Sequence, residues 1–222
     1  MGRRETYGLI CLDRERRKTL VIQLNNTPDY IHFLRGTYNI DDLSCILENC
    51  TDEEHNKIKA LLRVPKESLK SEIAQILPKY YSSDLIKQYS DQGSFNIDLY
   101  RDDILDLLNH AQPSLDHQWI WPKGGKEPKE SPVGCAIRET FEETGYFIPL
   151  RAINTRDIIR LDIKTFSGYV IHNNYFVAEW DSTLKPDGKP DYDEVQQAGW
   201  YPYEFLIERM PKSYAEFLAA CA

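Results

Sequence analysis

Between Ser131 and Gly145 the chain carries a helix whose two ends can be read directly from its residues. Ser131 suits the N-cap, Pro132 the first helical position, and Gly145 the residue just past the C-terminus. These signals frame a helix over about 132–144. At 100° per residue, Val133, Ala136, Ile137, Thr140 and Phe141 gather on one side, so that face is predicted to lie against a core. Glu139, Glu142 and Glu143, spaced i, i+3 and i+4, gather on roughly the opposite side. Like charges at this spacing repel by a few tenths of a kcal/mol per pair, a cost that a divalent cation reverses. An oxygen-only set of carboxylates suits Mg²⁺ or Mn²⁺ rather than Zn²⁺. The plain alternative is a charged face turned to water.

The residues around this helix keep a fixed rhythm: Gly124, five residues, Glu130, seven residues, Arg138-Glu139, two residues, Glu142-Glu143, one residue, Gly145. Seven set positions coincide by chance on the order of once in a million windows of average composition. This is the spacing of the Nudix box, and on it the chain resembles the Nudix hydrolase superfamily. The resemblance implies an α/β fold: an α/β/α sandwich with a mixed sheet, presenting the box as loop-helix-loop. It implies a metal-dependent pyrophosphohydrolase, with Glu139, Glu142 and Glu143 as ligands of Mg²⁺ or Mn²⁺ and backbone near Gly124 completing the shell. Arg138 would orient Glu139, and Glu130 would brace the loop or join an outer metal. Glu142 and Arg138 thereby enter the catalytic set. Thr140 departs from the family, which prefers an aliphatic residue there, and slightly looser packing is expected.

The flanks narrow the resemblance. Trp119-x-Trp121-Pro122-Lys123-Gly124 and Cys135-Ala136-x-Arg138-Glu139-x-Phe141-Glu142-Glu143-Thr144-Gly145 resemble the messenger-RNA decapping branch. Gly125 stands where that branch carries a second Lys, with Lys126 one place later, so Lys123 is the better fit to a phosphate. N7-methylguanine is cationic and favours aromatic faces. Trp119 and Trp121 are candidates for that contact, as are Tyr7, Phe33 and Tyr38, with burial in a core the alternative for each. In decapping relatives a late carboxylate before an aromatic-bearing strand acts as general base. That selects Glu194, ahead of Gly199-Trp200-Tyr201, with Asp191, Asp193 and Glu179 as alternatives. The implied activity is decapping, which cleaves the 5′ cap pyrophosphate to 7-methyl-GDP and 5′-monophosphate RNA. The expected location is the cytoplasm, a host's if the protein is viral. Two other readings stay open: a Nudix hydrolase of dinucleoside polyphosphates or diphosphoinositol polyphosphates, and an inactive Nudix RNA-binding module.

Elsewhere, apolar β-prone runs at 7–12 and 19–24 flank a charged turn. From about Asp41 to His110 the apolar residues recur at helical spacing, punctuated by Pro65, Pro78 and a predicted loop at 91–94. Strands are predicted at 157–163 and 168–180, a loop at 181–193, and a closing helix over Tyr203 to Ala219. The expected organisation is a discontinuous Nudix domain, 1–36 and 115–222, with a helical insertion at 37–114. That layout resembles the decapping enzymes of large DNA viruses, in which the insertion contributes to RNA binding. A local surplus of Lys and Arg within 57–101 fits such a role, or simply solvated helix faces.

A net charge of -8 argues against a protein built mainly to coat nucleic acid, while leaving a local basic patch open. No apolar run approaches a transmembrane span. Five cysteines, odd in number and without metal-finger spacing, read as reduced thiols of an intracellular protein. Met1-Gly2-Arg3-Arg4-Glu5-Thr6 fits a short myristoylation pattern, with an ordinary charged terminus the preferred reading. The expected partner is capped RNA, with nucleotide or inositol polyphosphates as alternatives.

Overall fold

The computed structural model describes residues 5–77, 81–114, 119–164, 170–192 and 195–221. It divides into two compact units, Met1–Asn25 with Gln118–Ala222, and Asn26–His117. The chain opens with strands β1 (Thr6–Asp13) and β2 (Lys18–Leu24). The second unit then supplies α1 (Pro28–Arg35), α2 (Leu43–Glu48), α3 (Asp52–Leu61), α4 (Lys66–Ile76), α5 (Ser83–Leu99) and α6 (Arg101–His110). The first unit resumes with β3 (Trp119–Ile120), β4 (Lys123–Gly125), α7 (Pro132–Thr144), β5 (Ile153–Lys164), β6 (Val170–Glu179) and β7 (Val195–Pro202). It closes with α8 (Tyr203–Ile207) and α9 (Lys212–Cys221).

The sheet of the first unit is mixed, in the order β3-β2-β1-β6-β5, with β4 also paired to β1 and β7 to β2. β1 and β6 run parallel, and the other pairs are antiparallel. Alternation along β1 places Leu9 and Cys11 on one face, with Cys135 and Ala136 of α7. Ile10 and Leu12 go to the other face, with Leu206 of α8 and Tyr214 and Leu218 of α9. Helices therefore cover both faces, as an α/β/α sandwich requires. β3 and β4 form one short stretch that leaves β2 at Ile22↔Ile120 and reaches β1 at Tyr7↔Gly124. Trp121 sits between them, its Nε1 donating 2.9 Å to Thr19 Oγ1, which itself donates 2.7 Å to Cys11 O.

Several expected boundaries move. β5 begins at Ile153 rather than 157; its first half pairs irregularly between Asn154 and Ile159, and that polar stretch hides the alternation. The closing helix is two helices, because Pro211 has no N–H to continue the first. Its carbonyl instead accepts from Tyr214 and Ala215 and starts the second.

In the helical unit, α1 contributes Tyr30, Phe33 and Leu34 to a core shared with α2 to α6, so the unit starts at Asn26 and not after 36. The predicted loop at 91–94 is the middle of α5. Gly93 there serves closeness: a Cβ would overlap the backbone carbonyl of Leu34 on α1. Glu54 is fully buried, and its carboxylate accepts from Thr27 N at 2.6 Å, Thr27 Oγ1 at 2.9 Å and Thr51 N at 2.9 Å. Three donors compensate its desolvation. Of the basic residues within 57–101, Lys57 pairs with Glu53, Lys66 and Arg101 with Asp98, and Lys70 with Asp91. Lys79, like Gly2, lies outside the described residues.

The five cysteines form no disulfide. Among the described residues no helix is long and apolar enough to cross a membrane.

Candidate active site

Both ends of α7 close as their residues dictate. Ser131 Oγ accepts from Gly134 N at 3.1 Å, and Gly145 takes φ 76°, its N–H donating 2.8 Å to Phe141 O. Cys135, Ala136 and Thr140 are buried as expected. Two residues are not where the wheel put them. Phe141 is 39% exposed at the edge of the apolar stripe, and Glu143, expected on the solvent side, is only 8% exposed. The cause is β4: Glu143 Oε2 accepts from Lys123 N at 2.8 Å and is drawn beneath that strand's edge.

Arg138 organises the remaining acids. Its Nε and Nη2 hold Glu130 in a two-pronged pair at 2.9 and 3.1 Å, and Nη2 also donates 3.1 Å to Gly125 O. Nη1 reaches Glu139 at 2.8 Å and Glu142 at 2.9 Å. The hydrogen bonds from Glu130, then the charges of Glu139 and Glu142, push the guanidinium pKa far up, so it stays charged. Arg138 in turn holds the Glu130 carboxyl below the usual range. Glu130 also accepts from Glu127 N at 3.0 Å, so it braces the loop. Burial pushes the Glu139 carboxyl up, and Arg138 opposes this. Cys135, at the foot of the cluster, is an inert thiol: burial, then Glu139 and Glu130, raise it to about 12.

Gly124 lies directly under Glu139, and a Cβ there would occupy the space of the Glu139 carboxylate. Lys123, its neighbour, has an ammonium pushed down by burial and up by Glu143 and Glu139. Lys126 is exposed, its Nζ 3.5 Å from Glu130 O. Among the described residues no three His, Cys, Asp or Glu side chains converge as a ready metal centre. Glu139 and Glu142 turn to Arg138 while Glu143 turns to Lys123 N. The chemistry of the donors nevertheless fits a hard cation: they are carboxylates, and they outnumber the cations that face them.

The loop before β7 is fastened to this helix by its backbone. Asp187 N and Gly188 N each donate 2.9 Å to Gly145 O, and Asp191 N donates 2.8 Å to Glu142 O. Sequence reasoning missed this docking, since no local signal announces it. Glu194 and Asp193 lie outside the described residues. Glu179 is engaged with Arg14 at 2.8 Å.

The aromatic candidates prove to be core residues. Trp119 is 2% exposed against Tyr201 and Phe205, and Trp121 is fully buried, stacked on Tyr214 at 5.0 Å between centroids. Tyr7, Phe33 and Tyr38 are buried as well. The i, i+2 spacing did put both tryptophans on one face, but that face is covered by α8 and α9.

The NUDIX domain family model matches residues 95–221. Diphosphoinositol polyphosphate phosphohydrolase 2 of Mus musculus is 30% identical over 98 residues, covering 44% of this chain and 52% of that protein. Diphosphoinositol polyphosphate phosphohydrolase 3-beta of Bos taurus is 46% identical over 99 residues, covering 44% and 58%. The chain thus spans about half the length of the curated relatives it matches. A solved NUDIX hydrolase from Nitrosomonas europaea aligns at TM-score 0.46 and 12% identity, covering 99% of this chain and 88% of that one. With more than half of its residues matched by the family model, and with the box intact on α7, the chain belongs to the NUDIX domain family.

Proposed function

We propose that the chain hydrolyses a pyrophosphate bond using a divalent cation, Mg²⁺ or Mn²⁺, held by Glu139, Glu142 and Glu143. The observation that carries this reading is the carboxylate group gathered around Arg138, with Glu139 lodged over a glycine that leaves it room. When bound, the cation supplies charge neutralisation and Lewis acidity at the phosphates. Arg138 keeps the acids oriented, and Glu130 keeps Arg138 in place. Lys123 and Lys126 add positive charge toward the polyphosphate. Glu194 takes the proton of the attacking water.

Two substrate classes are supported by different observations. A diphosphoinositol polyphosphate is supported by the names of the curated relatives. Capped RNA is supported by the motifs that flank the box, Trp119 to Gly124 and Cys135 to Gly145. The helical unit is the proposed RNA contact, although four of its basic residues are already paired within it. Incubation of cap-labelled RNA and of a diphosphoinositol polyphosphate with Mg²⁺ in ¹⁸O-water tests both. Label on 7-methyl-GDP supports attack at the β-phosphate of a cap, and label only on the RNA end refutes it. Inorganic phosphate carrying the label supports the inositol substrate. Turnover of either that survives Glu143→Gln removes the metal assignment.

A further inference from the structure

A nucleotide substrate needs a face for its base, and the rings the sequence suggested for this are buried in cores. Tyr192 is not: its residue is 62% exposed. Its backbone is nonetheless held from two sides. Asn25 Nδ2, just past the end of β2, donates 2.9 Å to Tyr192 O, and the preceding Asp191 N donates 2.8 Å to Glu142 O. Val195 N closes the turn with a 3.1 Å bond to Asp191 O.

The acids occupy the flank of α7 that faces β4, with Glu139 over Gly124 and Glu143 on Lys123 N. β2, β3 and β7 lie on that same side of β1, and Asn25 continues from β2. The ring therefore stands at the rim of the acid flank, one residue from a direct contact with the acid-bearing helix. Its own backbone is fixed while its faces remain in water.

We propose that Tyr192 is the stacking face for the nucleobase of the substrate, favouring 7-methylguanine over an unmethylated base. This deepens the reading of the Glu139–Glu143 site as a pyrophosphate hydrolase and rests on it. A phenol ring attracts a flat base by dispersion, and a positively charged base also through its quadrupole. An inositol ring offers neither a π face nor a cation, so Tyr192 separates the two substrate classes. Loss of one base–aromatic stack weakens binding on the order of tenfold.

The test uses the full chain with Tyr192→Ala and Tyr192→Phe. Calorimetric titration with 7-methyl-GDP and with GDP reads stacking without turnover. Tyr192→Ala is expected to weaken 7-methyl-GDP on the order of tenfold and GDP less, while Tyr192→Phe holds 7-methyl-GDP within about twofold. In turnover, Tyr192→Ala raises KM for a cap dinucleotide more than for a diphosphoinositol polyphosphate, with the loss in KM rather than kcat. Unchanged affinity of Tyr192→Ala for 7-methyl-GDP overturns the proposal, as does an equal KM penalty on both substrates. Should 7-methyl-GDP binding depend on Tyr192 in a protein that cleaves no pyrophosphate, the stacking site stands and the hydrolase reading falls.

Discussion

Replacing Gly124 with Ala tests whether the placement of Glu139 is what makes this site. The φ of Gly124 lies outside the left-handed region, so alanine adopts its backbone conformation without strain. The added Cβ, however, would fall 2.2 Å from both Glu139 carboxylate oxygens. Ordinary contact starts near 3.4 Å, so the carboxylate must retreat by about 1.2 Å. That is enough to break its 2.8 Å contact with Arg138. A carboxylate at the end of a flexible side chain moves cheaply, and Gly→Ala reduces unfolded-state entropy. Stability should therefore change by less than about 1 kcal/mol. A catalytic group displaced by roughly 1 Å costs about 10²-fold in rate. The assay pairs thermal unfolding with kcat on a pyrophosphate substrate at saturating Mg²⁺. Full turnover at an unchanged Tm would refute the argument, and a large fall in Tm would move the effect from Glu139 to the fold.

Three further outcomes follow from buried or half-buried groups. Thr140 is fully buried and its hydroxyl has no hydrogen-bond partner, so Thr140→Val should stabilise by about 1 kcal/mol in denaturant titration. Burial, then the charge of Glu54, raises Asp29 to about 6, above its unfolded value of about 3.9. The folded state therefore keeps this proton longer than the unfolded state does, and the stability it brings is lost as pH rises from about 4 through about 6. Asp29→Asn should gain about 1–2 kcal/mol at pH 7.5 and nothing at pH 4, as read by urea unfolding at the two values. Gly93→Ala, a stabilising change in most helices, should cost at least about 1 kcal/mol here, because the methyl would meet the Leu34 carbonyl; a rise in Tm would contradict the close packing of α1 on α5.

What was legible beforehand was what local chemistry decides. The caps of α7, the alternation of β1 and β2, and the box spacing depend on residues a few positions apart, and each appears where its sequence placed it. Two local signals pointed the wrong way. Asp91-Gln92-Gly93-Ser94 looks like a turn because the reason for Gly93 is Leu34, far away in the chain. The helical wheel placed Glu143 in water because it cannot know that a strand edge offers the Lys123 N–H. The tryptophans failed as ligand candidates for a related reason: periodicity shows which side chains share a face, and only the packing of α8 and α9 decides that this face is closed. The loop that docks on Gly145 and Glu142 does so through main-chain N–H groups, which every residue but proline carries, so no side chain advertised it.

Gln23 and Trp119 are direct partners across β2 and β3. The chain departs from the sheet and re-enters at the adjoining position, the geometry of a hairpin with a whole globule as its turn. Because closure entropy grows only with the logarithm of the enclosed length, swapping residues 26–117 for a tight turn, or for a larger module, would leave the register at Gly124 untouched. Catalytic core and accessory module can therefore diversify at separate rates.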